Sequence, residues 1–163
     1  LSVSDINSSL SNVISLIKVN NPKASIITTV SPVRHLKDGF VDNNLSKAHL
    51  ITAIHQVLSS ESLLKTLFYF PSYEIMMDEL RDYRFYKEDM IHPNNTAVSI
   101  IWEAFNKAWI SSKTEPLQKA ILAIQSSLKH KPFNPNSEDH LLFIRDLETK
   151  ISLIKKDLPH IEF

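Results

Sequence analysis

Two short runs decide what this chain can fold into. Residues 24–30 (ASIITTV) and 63–70 (LLKTLFYF) read as strands, and each lies between segments of helical periodicity. The first is β-branched and uncharged, apolar on both sides as a buried parallel strand is. Ser31-Pro32 stops it. The second is best placed at Leu67–Phe70 and ends at Pro71-Ser72.

Helical spacing fills most of the rest. Residues 5–19 put Ile6, Leu10, Val13, Ile14 and Ile17 on one stripe, with Ser4 or Asp5 as the cap. Residues 44–58 repeat the pattern with Leu45, Ala48, Ile51, Ile54, Val57 and Leu58. Residues 74–84 predict a helical turn or two, with Ile75, Met76 and Leu80 inward. Asn94 or Asn95 caps a helix whose apolar face is Val98, Ile101, Trp102, Phe105, Ala108 and Trp109, its aromatics expected in the core. Two further helices are expected over 116–129 and 137–158, the second carrying Leu141, Ile144, Leu147, Ile151 and Ile154.

Helix–strand alternation argues for parallel strands joined by crossover helices. Two parallel strands alone keep unpaired edges and an uncovered face. The expected fold class is therefore α/β: the later half of a three-layer α/β/α domain over residues 1–112, then a helical C-terminal extension over 113–163. The alternative is a complete, mostly helical protein with a minimal sheet. The exposed sheet edge makes self-association one expected partnership.

Composition removes several functions. Gly39 is the single glycine in 163 residues, where average usage gives about eleven. Phosphate-cradling loops and Gly-x-Ser-x-Gly nucleophile elbows need several. Cysteine is absent, which excludes disulfides, thiolate zinc sites and a cysteine nucleophile within these residues. The 18 basic and 18 acidic side chains form no block of one sign, so no nucleic-acid partner is expected. The apolar runs are too short for a membrane span. Nothing at Leu1 reads as a signal peptide, and without an initiator Met this end reads as a cut or processing boundary. A cytoplasmic setting is the expectation.

The chemistry-bearing residues gather after the second strand. Tyr69-Phe70-Pro71-Ser72-Tyr73-Glu74 and Arg81-Asp82-Tyr83-Arg84-Phe85-Tyr86 lead into Asp89-Met90-Ile91-His92-Pro93. Asp-x-x-His before a helix suits a carboxylate that orients an imidazole. His92 would then take a proton from a Ser or Cys nucleophile and return it to the leaving group. The structural alternative is that the pair caps the next helix. Ser31 and Ser72 each follow a strand, but neither has the glycines of a strained elbow. Arg34 suits an anionic substrate group at a site rim, or pairs with Glu74, Asp78 or Asp82. Tyr83, Phe85 and Tyr86 suit an acyl pocket. His49 and His55 do not share a helix face, and Asp89 with His92 lacks a nearby third ligand, so neither metal nor cofactor is expected. Ser-x-x-Lys occurs at Ser15/Lys18, Ser62/Lys65 and Ser152/Lys155 and, so repeated, carries no weight.

Three pieces together resemble the GSCFA family, a branch of the SGNH/GDSL hydrolases. They are Thr28-Thr29-Val30-Ser31-Pro32-Val33-Arg34-His35, Lys47-Ala48 opening the crossover helix, and the run from Tyr69 to Pro93. The likeness covers roughly residues 22–105. It implies a flavodoxin-like sheet and metal-independent acyl-ester hydrolysis, with an acylated carbohydrate as one candidate substrate. His92 would be general base and Asp89 its orienting partner. Arg34, His35, Tyr73, Tyr83 and Tyr86 are the candidate substrate contacts. The family's Gly-Ser-Cys-Phe-Ala block and the blocks that supply oxyanion donors are absent and would lie before Leu1. The reading from another class is a non-catalytic helical binding or assembly module.

Overall fold

The computed structural model describes residues 1–59 and 65–163. The start of the second strand run (Leu63, Leu64) and Ser62 of one Ser-x-x-Lys pair lie outside them. The described residues form two compact units, Leu1–Phe105 and Asn106–Phe163.

In the first unit, helix α1 (Val3–Asn20) is capped by Ser2 rather than by Ser4 or Asp5. Ser2 Oγ accepts the Asp5 backbone N–H at 3.2 Å, and Asp5 Oδ2 accepts that of Ser2 at 2.9 Å. This reciprocal box satisfies two orphan donors, which a cap at Ser4 or Asp5 would not. Strand β1 (Ile26–Thr29), helix α2 (Gly39–Leu58) and strand β2 (Leu67–Phe70) follow. The strands pair in parallel, Ile26 opposite Leu67 and Thr29 opposite Phe70. The protein is thus α/β, helix-rich, with a two-stranded parallel sheet among the described residues, as the alternation predicts.

One sheet face is closed by α1 and α2, where Leu67 packs with Ile14 and Val57. Such burial of aliphatic side chains stabilises by roughly 1.5–3 kcal/mol each. On the other face Phe70 meets Phe105 edge to face at 5.1 Å. Helix α2 begins at Gly39, ahead of the expected residue 44, because a 3₁₀ turn (Leu36–Asp38) delivers the chain there. Gly39 lies at φ 89°, ψ 170°, a region essentially open only to glycine.

Beyond β2, helix α3 (Ser72–Glu74) passes into a π-helical turn (Ile75–Glu79). Met76, Leu80, Tyr86 and Ala97 form the second cluster of this unit. Helix α4 (Asn95–Trp109) is capped by Asn94, whose Oδ1 accepts the Ala97 N–H at 3.0 Å. Its inward side carries Ala97, Ile100 and Ile101. Trp102 and Val98 are therefore not core residues: they stand 52% and 54% exposed, Trp102 stacked on Phe105 at 5.7 Å.

The second unit has its own core. Helices α5 (Glu115–Leu128) and α6 (Glu138–Asp157) bury Ile124 against Leu147 and Ile154. Leu141, expected on that stripe, is exposed, and Phe143 takes its place. Among the described residues, no helix is long and apolar enough to cross a membrane.

Candidate active site

The segment between α3 and α4 closes on itself. A 3₁₀ turn (Tyr83–Phe85) leads to Tyr86, which forms an antiparallel bridge with Pro93. Lys87 N–H donates to His92 O at 2.8 Å, and Asn94 N–H to Phe85 O at 2.9 Å. Asn94 Nδ2 reaches Arg84 O at 2.6 Å. The loop over residues 87–92 is thereby cinched at its base and tied to the start of α4.

At its tip, Asp89 Oδ1 accepts the backbone N–H groups of Ile91 and His92, both at 2.9 Å. Met90 adopts φ 58°, a left-handed conformation uncommon outside glycine and costly to hold. That turn points Asp89 Oδ2 at His92 Nδ1, 2.7 Å away. The donated bonds, the His92 backbone N–H first, hold the Asp89 carboxyl down at about 2. An ionised carboxylate only accepts, so Nδ1 carries the hydrogen and Nε2 presents its lone pair. No described residue bonds Nε2, and the His92 side chain is half exposed. The pair can accept a proton from a hydroxyl brought to Nε2 and stabilise the resulting imidazolium.

Neither of the two serines that follow a strand bonds this base. Ser72 is buried, donating to Val30 O at 2.8 Å and lying 2.7 Å from Thr29 Oγ1. Ser31 Oγ accepts the Val33 N–H.

Arg34 forms the wall behind the loop. Its backbone N–H donates to Ile91 O and its Nη1 to Met90 O, at 3.4 and 3.3 Å. Its guanidinium lies 4.4 Å from the Tyr86 ring centre and 5.9 Å from that of Tyr83. It pairs with none of the acids expected for it. Both oxygens of Glu74 take the Tyr69 hydroxyl, and Asp82 holds Arg84 at 3.0 Å. His35 turns away, its Nδ1 3.5 Å from Asp38 and its N–H on Asn43 Oδ1.

A cavity of about 310 Å³ adjoins Arg34. Arg34, Asn43, Asn44, Lys47, Tyr73 and Tyr83 line it. So Arg34, Tyr73 and Tyr83 come together here, Tyr86 is buried beneath Arg34, and His35 is not among the lining residues. Lys47, also in the lining, is not among the expected substrate contacts. Its signal was present: it precedes Ile51 by four and Ile54 by seven, which sets a cation on the buried stripe of α2. Lys47 is 8% exposed, its ammonium donates to Ser31 O at 2.7 Å, and burial lowers its pKa. Burial, with Glu74 next, raises that of the Tyr73 hydroxyl. Among the described residues, no group of three or more His, Asp or Glu is placed to hold a metal ion.

No curated protein and no solved structure matches the chain. Two family models do. That of the GSCFA domain protein C-terminal domain matches residues 121–163. That of the GSCFA family matches residues 1–105, well over half of the chain and all of the Asp89–His92 loop. The chain belongs to the GSCFA family.

Proposed function

We propose that this chain supplies the base half of an acyl-ester hydrolase of the SGNH/GDSL type, its sheet the later part of a flavodoxin-like fold. The observation that supports this is the oriented pair, Asp89 Oδ2 to His92 Nδ1 at 2.7 Å with Nε2 unengaged by any described residue. His92 Nε2 takes the proton of a serine hydroxyl as its oxygen attacks the ester carbonyl. The imidazolium then protonates the departing alkoxide. Water, deprotonated by the same nitrogen, cleaves the acyl-enzyme and returns the serine its proton. The nucleophile and the oxyanion donors come from outside these 163 residues. The substrate is an acyl ester, with acylated carbohydrates the first class to try, and the cytoplasm is the favoured setting.

The test is hydrolysis of nitrophenyl acetate by the longest natural form of the protein beside its His92→Ala variant. Removal of a triad base costs roughly 10³-fold or more in rate. Equal rates in both, with folding intact, would sink the assignment.

One observation favours the assembly-module reading. An apolar groove of about 430 Å³ runs beside β1, lined by Ile27, Phe70, Val98, Ile101, Trp102 and Phe105. It adjoins the β1 edge that no described strand pairs. In that reading this face associates with a second copy, and sedimentation of the 163-residue chain reports it as a concentration-dependent dimer.

A further inference from the structure

The cavity beside Arg34 holds two cations and no carboxylate. An ammonium has three donors, and among described residues Lys47 uses one, on Ser31 O. A guanidinium has five, and Arg34 uses one side-chain donor, on Met90 O. No described acid forms an ion pair with either. Glu74 is engaged by Tyr69, and it and, more weakly, Asp78 act on the Tyr73 hydroxyl from a distance. A buried cation without a counter-charge is costly, and the cost is relieved when an anion arrives. Asn43 and Asn44 add amide groups at the rim, and Tyr73 and Tyr83 add hydroxyls and flat apolar walls. Such a lining suits an oxyanion attached to a small organic body. Arg34 is the shared element: it lines the cavity, and its Nη1 also holds Met90 O in the Asp89–His92 loop. Arg34 thus links the cavity to the loop that carries the base.

We propose that this cavity binds an anionic substituent of the ester substrate, a carboxylate or a phosphate, so that Arg34 and Lys47 select anionic over neutral esters. The inference rests on the hydrolase reading for its substrate but not for its ligand chemistry, and the two are tested apart. The 163-residue chain is titrated with monomethyl succinate, its neutral twin dimethyl succinate, and monomethyl phosphate, and backbone and side-chain amide NMR shifts are followed. Saturable shifts at Asn43, Asn44 and Lys47 are expected with the anions and not with the neutral ester. Whichever anion binds more tightly assigns carboxylate or phosphate. Lys47→Met removes one cation, and Asn44→Phe fills the cavity from an exposed position that the core does not need. Each should weaken anion binding by roughly tenfold or more. Equal shifts with the neutral ester, or undiminished anion binding in a folded Asn44→Phe protein, would overturn the proposal. In the longest natural form, Lys47→Met should lower kcat/KM for the anionic ester relative to the neutral one. An unchanged ratio in an active enzyme counts against the site. Anion binding without hydrolysis of either ester leaves the anion site standing and removes the hydrolase reading instead.

Discussion

At the scale of single residues, the site depends on a carboxylate that its own loop keeps ionised. The Asp89 pKa is depressed from 3.8 to about 2 by the N–H groups of His92 and Ile91. A folded-state value below the unfolded one means that the stabilisation is fully present above 3.8 and is lost as pH falls toward about 2. An acid limb in the activity profile above 3.8 is therefore not Asp89 losing its charge. Carbon-detected NMR titration should place the Asp89 midpoint at about 2, and a midpoint near 4 would contradict the loop geometry. Gly39 gives a second residue-scale expectation. A Cβ there meets nothing within 4 Å, so the penalty for Gly39→Ala is backbone strain alone, about 1–3 kcal/mol in a urea titration. Asp38-Gly39 is itself a turn signal in the sequence, because glycine announces such conformations. Lys47 is less legible, because a lysine on a helix reads as solvated unless its place on the apolar stripe is weighed against that habit.

At the scale of elements, legibility followed local chemistry. Strand β2 appears where the sequence puts it, since Pro71 ends an apolar run sharply. Strand β1 keeps only Ile26–Thr29 of the seven-residue run, because pairing extends only as far as its short partner. The apolar face of α4 differs from the expected one: periodicity finds a stripe but cannot say what covers it, and Val98 and Trp102 on that stripe stay open to solvent. The start of α4 was easier, because Asn94 has both cap and hinge in view. Its Oδ1 caps Ala97 while its Nδ2 holds Arg84 O. Asn94→Ala should cost about 0.5–2 kcal/mol in thermal melts. It should also broaden the His92 ring signals, since the cinch at the base of the loop loosens. A melt shifted with sharp, unmoved His92 signals would show that the bridge of Tyr86 to Pro93 suffices alone.

At the scale of the whole molecule, the helix–strand order announced an α/β protein, but nothing local could announce the residues on which the core of the second unit closes. Those depend on which stripes meet, and α5 and α6 meet each other through Ile124, Leu147 and Ile154. Ile124 is 1% exposed, so Ile124→Ala leaves a cavity that should cost about 2–5 kcal/mol. The bonds that shape the Asp89–His92 loop all lie between Arg34 and Ala97, within the first unit. Amide exchange in the Ile124→Ala protein should therefore quicken through α5 and α6 while Ile91 and His92 keep their protection. Helix α4 is the element that makes this a real test, since its residues up to Phe105 belong to one unit and those from Asn106 to the other. If protection at His92 falls together with that of α5, α4 transmits the loss and the second unit supports the site. If it holds, the base pair is built by the first unit alone.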